Sequence, residues 1–159
     1  MRWFHKAFFL LALLMVATSQ PLAARADEAP QAQLDQLVAP VALYPDELLG
    51  QILMASTYPL EIVEAERWRS GNPGLSGEAL AAAIEEKDWD PSVKSLTQTP
   101  AVLSMMDNNL EWTEKLGEAF LADQGGVMDA VQRLRGRAAD AGRLQSGPQL
   151  SVTNDDGVI

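Results

Sequence analysis

The sequence has no cysteine and a single histidine, His5. Without cysteine there can be no disulfide, no thiol nucleophile and no lipid anchor built on an N-terminal cysteine. Long apolar runs are equally scarce. The one that stands out, Ala7 to Ala17, follows the basic residues Arg2 and Lys6 and gives way to Thr18-Ser19-Gln20-Pro21. It falls short of the roughly 20 apolar residues that a membrane-spanning helix needs. With Ala24-Arg25-Ala26 behind it as an A-x-A cleavage pattern, it predicts a secretory signal peptide over residues 1–26 and a mature chain starting at Asp27. Cleavage removes His5 as well. A Ser-His-Asp triad, a Cys-His pair and an ordinary zinc site are then excluded, and no cofactor or metal is expected.

Positive charge is the next shortage. Arg2, Lys6 and Arg25 leave with the signal while every acidic residue stays, so the mature chain keeps nine basic against 22 acidic residues and a formal net charge of −13. That balance disfavours nucleic acid, because phosphate binding needs clustered Lys and Arg. It favours basic partners or divalent cations, and a chain that does not stay inserted in a membrane once the signal is gone. About 133 residues remain, enough for one domain, and no Ser-rich or Pro-rich interior linker divides them.

What the chain does contain is helical periodicity punctuated by proline. Asp27 to Pro30 reads as a polar leader, and Leu34, Leu37, Val38 and Val41 then recur at spacings of three and four until Pro40 interrupts. Tyr44-Pro45, Tyr58-Pro59, Asp90-Pro91 and Thr99-Pro100 announce four helix starts, since proline suits a first turn and discourages helix in the residue before it. The spacing predicts helices from Pro45 to about Ser56 and from Pro59 to the stop signal Ser70-Gly71-Asn72-Pro73-Gly74. It predicts others from Ser76 to near Lys87, Pro91 to Leu96 and Pro100 to about Met106. A longer helix from near Asn109 places Leu110, Thr113, Leu116 and Phe120 inward and is broken by Gly125-Gly126. A last one carries Val127, Val131, Leu134 and Ala138 and stops at Gly142. The fold class is therefore all-α, an irregular or orthogonal array of six to eight short helices over residues 27–144, with 145–159 a flexible tail.

Three stretches carry a resemblance: Leu34 to Trp68 (LDQLVAPVALYPDELLGQILMASTYPLEIVEAERW), Trp89 to Leu96 (WDPSVKSL) and Val127 to Arg135 (VMDAVQRLR). The chain resembles the bacterial exported proteins catalogued as domain of unknown function 3300, over nearly all of Gln31 to Leu144. The resemblance implies a Gram-negative envelope protein of periplasmic location and no particular activity. It also implies that the chain continues past the helical region into a Pro- and Tyr-rich extended segment, of which Ser151 to Ile159 looks like the start. A short natural form and a truncated one both remain open.

Several constellations are candidates for function. Tyr44, Tyr58, Trp68, Trp89, Trp112 and Phe120 can line a groove or wedge between short helices. Catalysis would rest on carboxylates, Glu61 with Glu64 or Asp88 with Asp90, as in a hydrolase or lyase acting on cell-wall polymer, although Asp90 also suits a helix cap. Oxygen ligands for calcium occur at Asp107, Asn108, Asn109 and Glu111 and again at Asn154, Asp155 and Asp156, neither set with EF-hand spacing. Arg133, Arg135, Arg137 and Arg143 concentrate positive charge near the last helix. They are the candidate partner-binding residues, for an envelope protein or an anionic polymer, in what is expected to be a non-catalytic interaction module.

Overall fold

The computed structural model describes residues 22–144, 152–153 and 158–159. Among them the chain forms eight helices and no strand: α1 (Leu22–Val38), α2 (Asp46–Ala55), α3 (Pro59–Gly71), α4 (Gly77–Glu85), α5 (Pro91–Leu96), α6 (Pro100–Asn108), α7 (Leu110–Ala122) and α8 (Gln124–Asp140). Two units are distinguished, Met1–Pro30 and Gln31–Ile159. Of the first, only the helical residues from Leu22 onward are described, so most of the expected signal peptide lies outside the described residues. The tail positions Asn154, Asp155 and Asp156 lie outside them too.

Proline starts three of these helices. Pro59, Pro91 and Pro100 occupy the first turns of α3, α5 and α6, where no backbone N–H is required, and Pro45 immediately precedes α2. Two expectations are corrected. Asp27 to Pro30 is not a leader but part of α1, which runs through Pro30. Its sequence LAARADEAPQAQ is alanine-rich, the best helix former, and Pro30 costs the helix one backbone bond without ending it. The Gly125-Gly126 pair is not a break either; it lies in the first turn of α8. The break falls at Asp123, whose Oδ1 accepts the Gly126 N–H at 2.9 Å and caps the new helix. A Cβ on Gly126 would stand 2.9 Å from Asp123 Cγ, so the cap requires glycine there.

The core of the second unit is built from Val38, Val41, Leu49, Ile52, Leu53, Ile62, Val93, Leu96, Leu103, Met106, Leu116, Val127 and Val131. Burying each of these larger side chains stabilises the fold by about 1.5–3 kcal/mol before conformational entropy is counted. α2 packs on α5 and α3 on α6, while α7 touches α2, α3, α6 and α8 and so crosses the middle of the array. Its closest approach is at Gly117, which lies against the Ser56-Thr57 backbone where α2 ends. Buried hydroxyls satisfy carbonyls left over at helix ends: Ser56 Oγ donates to Leu53 O at 2.7 Å and Thr113 Oγ1 to Met106 O at 2.8 Å.

Candidate functional site

The four arginines in and just beyond the last helix do not form one open cationic face. α8 turns about 100° per residue, so Arg133 and Arg137, four apart, share a face while Arg135 points elsewhere. Arg133 donates to Asp35 Oδ1 through Nε at 3.1 Å and Nη2 at 2.8 Å, and Arg137 Nη2 donates to Asp35 Oδ2 at 2.5 Å. One carboxylate thus holds two guanidiniums. Burial pushes the Asp35 carboxyl up, but the hydrogen bonds and charges of Arg133 and Arg137 outweigh it and leave it below the usual carboxylate range. The side chain of Arg137 remains 61% exposed and that of Arg133 36% exposed. Arg143, just past the helix, is exposed and makes no side-chain hydrogen bond among the described residues.

Arg135 is the opposite case, 5% exposed. Its guanidinium donates through Nε to Ala42 O at 2.8 Å, through Nη2 to Tyr44 O at 2.8 Å, and through Nη1 to Asp46 Oδ1 and to Ile159 O at 2.7 Å. Arginine fits because its planar fork satisfies several acceptors at fixed angles while keeping its charge. The turn between α1 and α2 presents two carbonyls that no helix uses, and Arg135 takes both. Burial of this residue carries no sequence signal, since its partners lie about ninety positions earlier in the chain.

A second cluster joins α3 to the loop before α5. Glu61, Glu64 and Trp68 lie at spacings of three and four on α3. Glu61 Oε2 accepts the Asp90 backbone N–H at 2.6 Å, and Glu64 Oε2 accepts Trp89 Nε1–H at 3.3 Å. Trp68 and Trp89 meet edge to face, centroids 5.9 Å apart and planes at 73°, and Lys87 Nζ stands 5.1 Å and 5.8 Å from the two ring centres. Asp90 Oδ1 accepts from Ser92 N at 2.9 Å and Ser92 Oγ at 2.5 Å. Burial raises the Asp90 carboxyl, yet the Ser92 hydroxyl and N–H and the Tyr58 hydroxyl bring it below its ordinary value. Conversely the Asp90 charge, aided by burial, a hydrogen bond to Asp90 and the Glu61 charge, raises the Tyr58 phenol.

These contacts decide what the carboxylates can do. Glu61, Glu64 and Asp90 face a loop backbone, an indole and a helix start rather than one another across a cleft, and each is engaged as an acceptor. Asp88 is exposed. Of the aromatic residues, Phe120 is buried, Trp112 packs on the core with Nε1 donating to Leu37 O at 2.8 Å, and Tyr44 and Trp89 flank the core. At the proposed calcium ligands, Asn109 Nδ2 donates to Met105 O and Glu111 pairs with Lys115 at 2.7 Å. Among the described residues no group of three or more acidic side chains is placed to hold a metal, and no helix is long and apolar enough to cross a membrane.

The three stretches that carry the family resemblance are therefore bonded to one another: Asp35, Ala42, Tyr44 and Asp46 to Arg133 and Arg135, and Glu61 and Glu64 to Trp89 and Asp90. Residues 30–159 match the family model described as protein of unknown function (DUF3300). The chain is also 50% identical over 121 residues to the uncharacterized protein YacH of Escherichia coli (strain K12), covering 76% of this chain. It spans only 20% of that relative's length. No solved structure matches.

Proposed function

Since this chain belongs to the DUF3300 family, we propose that it is a non-catalytic, envelope-associated interaction module that is exported to the periplasm and offers the positive end of α8 to an anionic partner. The observation that carries this reading is the unequal pairing on α8. Arg133 and Arg137 share the single carboxylate of Asp35 and Arg143 follows exposed just past the helix, so over residues 133–143 these three guanidiniums outnumber the carboxylates of Asp35 and Asp140, an excess confined to the C-terminal end of α8. In a chain of formal charge −10 that excess is local, and local excess charge is what steers an anionic protein patch or polymer to a surface. The rival reading, a carboxylate hydrolase or lyase on wall polymer, needs Glu61, Glu64 and Asp90 free for substrate, whereas each supports the α3 to α5 junction.

The test is photo-crosslinking and capture from living envelopes, comparing the native chain with Arg137→Glu/Arg143→Glu. The expected result is a salt-sensitive polymer or protein adduct that the double reversal loses, on a chain from the periplasmic fraction whose N-terminus is Asp27. Adduct retained by the reversal but lost in folded Glu64→Gln or Asp88→Asn variants would transfer the function to the carboxylate cluster. A chain recovered only from the cytoplasm would overturn the export half of the reading.

A further inference from the structure

Lys87 sits at a corner made of two indoles. Its Nζ stands 5.1 Å from the Trp68 ring centre and 5.8 Å from that of Trp89, and the two rings meet at 73° with their centres 5.9 Å apart. Both distances fall within the roughly 6 Å over which an aromatic ring attracts a cation. Among the described residues the Lys87 ammonium makes no hydrogen bond and no ion pair, although the chain carries 22 acidic residues. The rings are what holds it.

The walls of this corner are fixed and its occupant is not. Trp89 packs against the core and donates its indole N–H to Glu64 Oε2, while the next backbone N–H, of Asp90, is held by Glu61 Oε2 at 2.6 Å. Trp68 lies in the last turn of α3, where its carbonyl accepts from Asn72 Nδ2 at 2.8 Å. Such walls are in place before any cation arrives. Lys87 is tied only at its backbone, whose N–H donates to Ile84 O at 2.9 Å, and a flexible stem separates that point from the ammonium. All three side chains are half-buried, and at a site this open a cation–π contact favours the docked ammonium about 2- to 5-fold over the released one. The local charge is also negative: Glu64 touches the Trp89 ring nitrogen, Asp88 is exposed next to Lys87, and the charges of Asp90 and Glu61 already raise the Tyr58 phenol.

We propose that the corner of Trp68 and Trp89, with Glu64 at its edge, is a binding site for an alkylammonium group, and that Lys87 is its resident, exchangeable occupant. The guest is either a quaternary ammonium ion from solution or the lysine side chain of a basic partner. Both present a positive charge on a carbon-bound nitrogen, and the quaternary form has the advantage of giving up no N–H hydrogen bond to water on entering. The inference is independent of export and of the anionic partner of α8.

The test is a titration of the full chain with tetramethylammonium chloride, against sodium chloride at equal ionic strength, followed through the indole N–H signals. The expected result is a saturable shift of Trp68 and Trp89 with nuclear Overhauser contacts from the methyl protons to both rings, while Trp112, whose N–H is bonded to Leu37 O, stays in place. Lys87→Gln removes the competitor and should tighten binding about 3- to 6-fold, since the guest no longer has to displace the resident. Adding Trp68→Leu to that variant removes one wall and should weaken binding about 2- to 5-fold. If that pair of changes unfolds the chain, Glu64→Gln in its place keeps an oxygen for the Trp89 indole and should weaken binding about 2-fold. A parallel titration with Nα-acetyl-lysine amide separates the sources: tighter binding than tetramethylammonium assigns the corner to a partner's lysine, and weaker binding assigns it to quaternary ions. Shifts that sodium reproduces, shifts as large at Trp112, or a Lys87→Gln chain that binds neither probe would overturn the site. Equal affinities for the native chain and Lys87→Gln would overturn the role of Lys87 as occupant.

Discussion

The sharpest demand on the fold is made at Gly117, and replacing it with alanine tests the packing directly. A Cβ at this position would overlap the Ser56 carbonyl oxygen and stand 2.6 Å from the Ser56 carbonyl carbon and 3.0 Å from Thr57 N. Carbon and oxygen sit comfortably at about 3.3–3.6 Å, so α7 must retreat by about 1 Å, because the obstacle is backbone and cannot rotate aside. The retreat opens gaps along Leu116 and Phe120, both buried on α7. Gaps of that size forfeit a quarter to a half of the dispersion energy, and overpacking itself costs about 1–3 kcal/mol. Better helix propensity returns about 1 kcal/mol. The expected net loss is roughly 2–4 kcal/mol, read as the urea midpoint by circular dichroism and as a fall in Tm of about 3–5 °C per kcal/mol. Gly50, exposed in the middle of α2 with no atom near its missing Cβ, supplies the control: Gly50→Ala should stabilise by about 0.5–1 kcal/mol. If Gly117→Ala were as stable as Gly50→Ala, the close approach of α7 to the end of α2 would be wrong.

Two further predictions concern the arginines. Arg135→Lys keeps the charge but loses the fork that serves the Ala42 and Tyr44 carbonyls together, so it should cost about 2–4 kcal/mol in urea unfolding; stability equal to the native chain would refute the buried clamp. Asp35 has its carboxyl held below the ordinary range in the folded chain, so its contribution is complete above about pH 4 and is lost as the pH falls through the lowered folded value. Asp35→Asn should therefore lower the urea midpoint at pH 6 and flatten its decline toward pH 3, and parallel pH curves for the two proteins would count against the pairing.

Much of the helical layout was legible because its signals are local. Pro59, Pro91 and Pro100 mark helix starts through their own geometry, and Asp90 reads as a cap because the donor it satisfies, Ser92 N–H, is two residues away. The errors arose where two local signals compete. Gly125-Gly126 looks like a break, but Asp123 supplies one first, and Pro30 looks like a boundary in a segment whose alanines carry the helix through it. Site residues were harder. The cluster of arginines near the chain's end is plain in the sequence, yet its division into a buried clamp, a shared ion pair and one exposed residue depends on Asp35 and on the carbonyls of Ala42 and Tyr44. Glu61 and Glu64 were visible as a pair on one face; that they hold Asp90 and Trp89 was not, because the partners are 29 and 25 residues away.

The bonds between α8 and the region from Asp35 to Asp46 also order events in time. Ala42 and Arg135 are 93 residues apart, and Asp35 and Arg137 are 102 apart. Helices α2 to α7 can form and pack through nearer neighbours and α8 can dock on α7, but the α1–α2 turn and the arginines of α8 gain one another only after the long loop between them has closed. A chain produced from its N-terminus onward must wait for residues 133–137 before residues 35–46 are fastened. In the finished protein the same pairing makes the two ends one opening unit: hydrogen exchange at Ala42 to Asp46 and along α8 should rise and fall as a single cooperative step, slower to close than anything in the middle of the array.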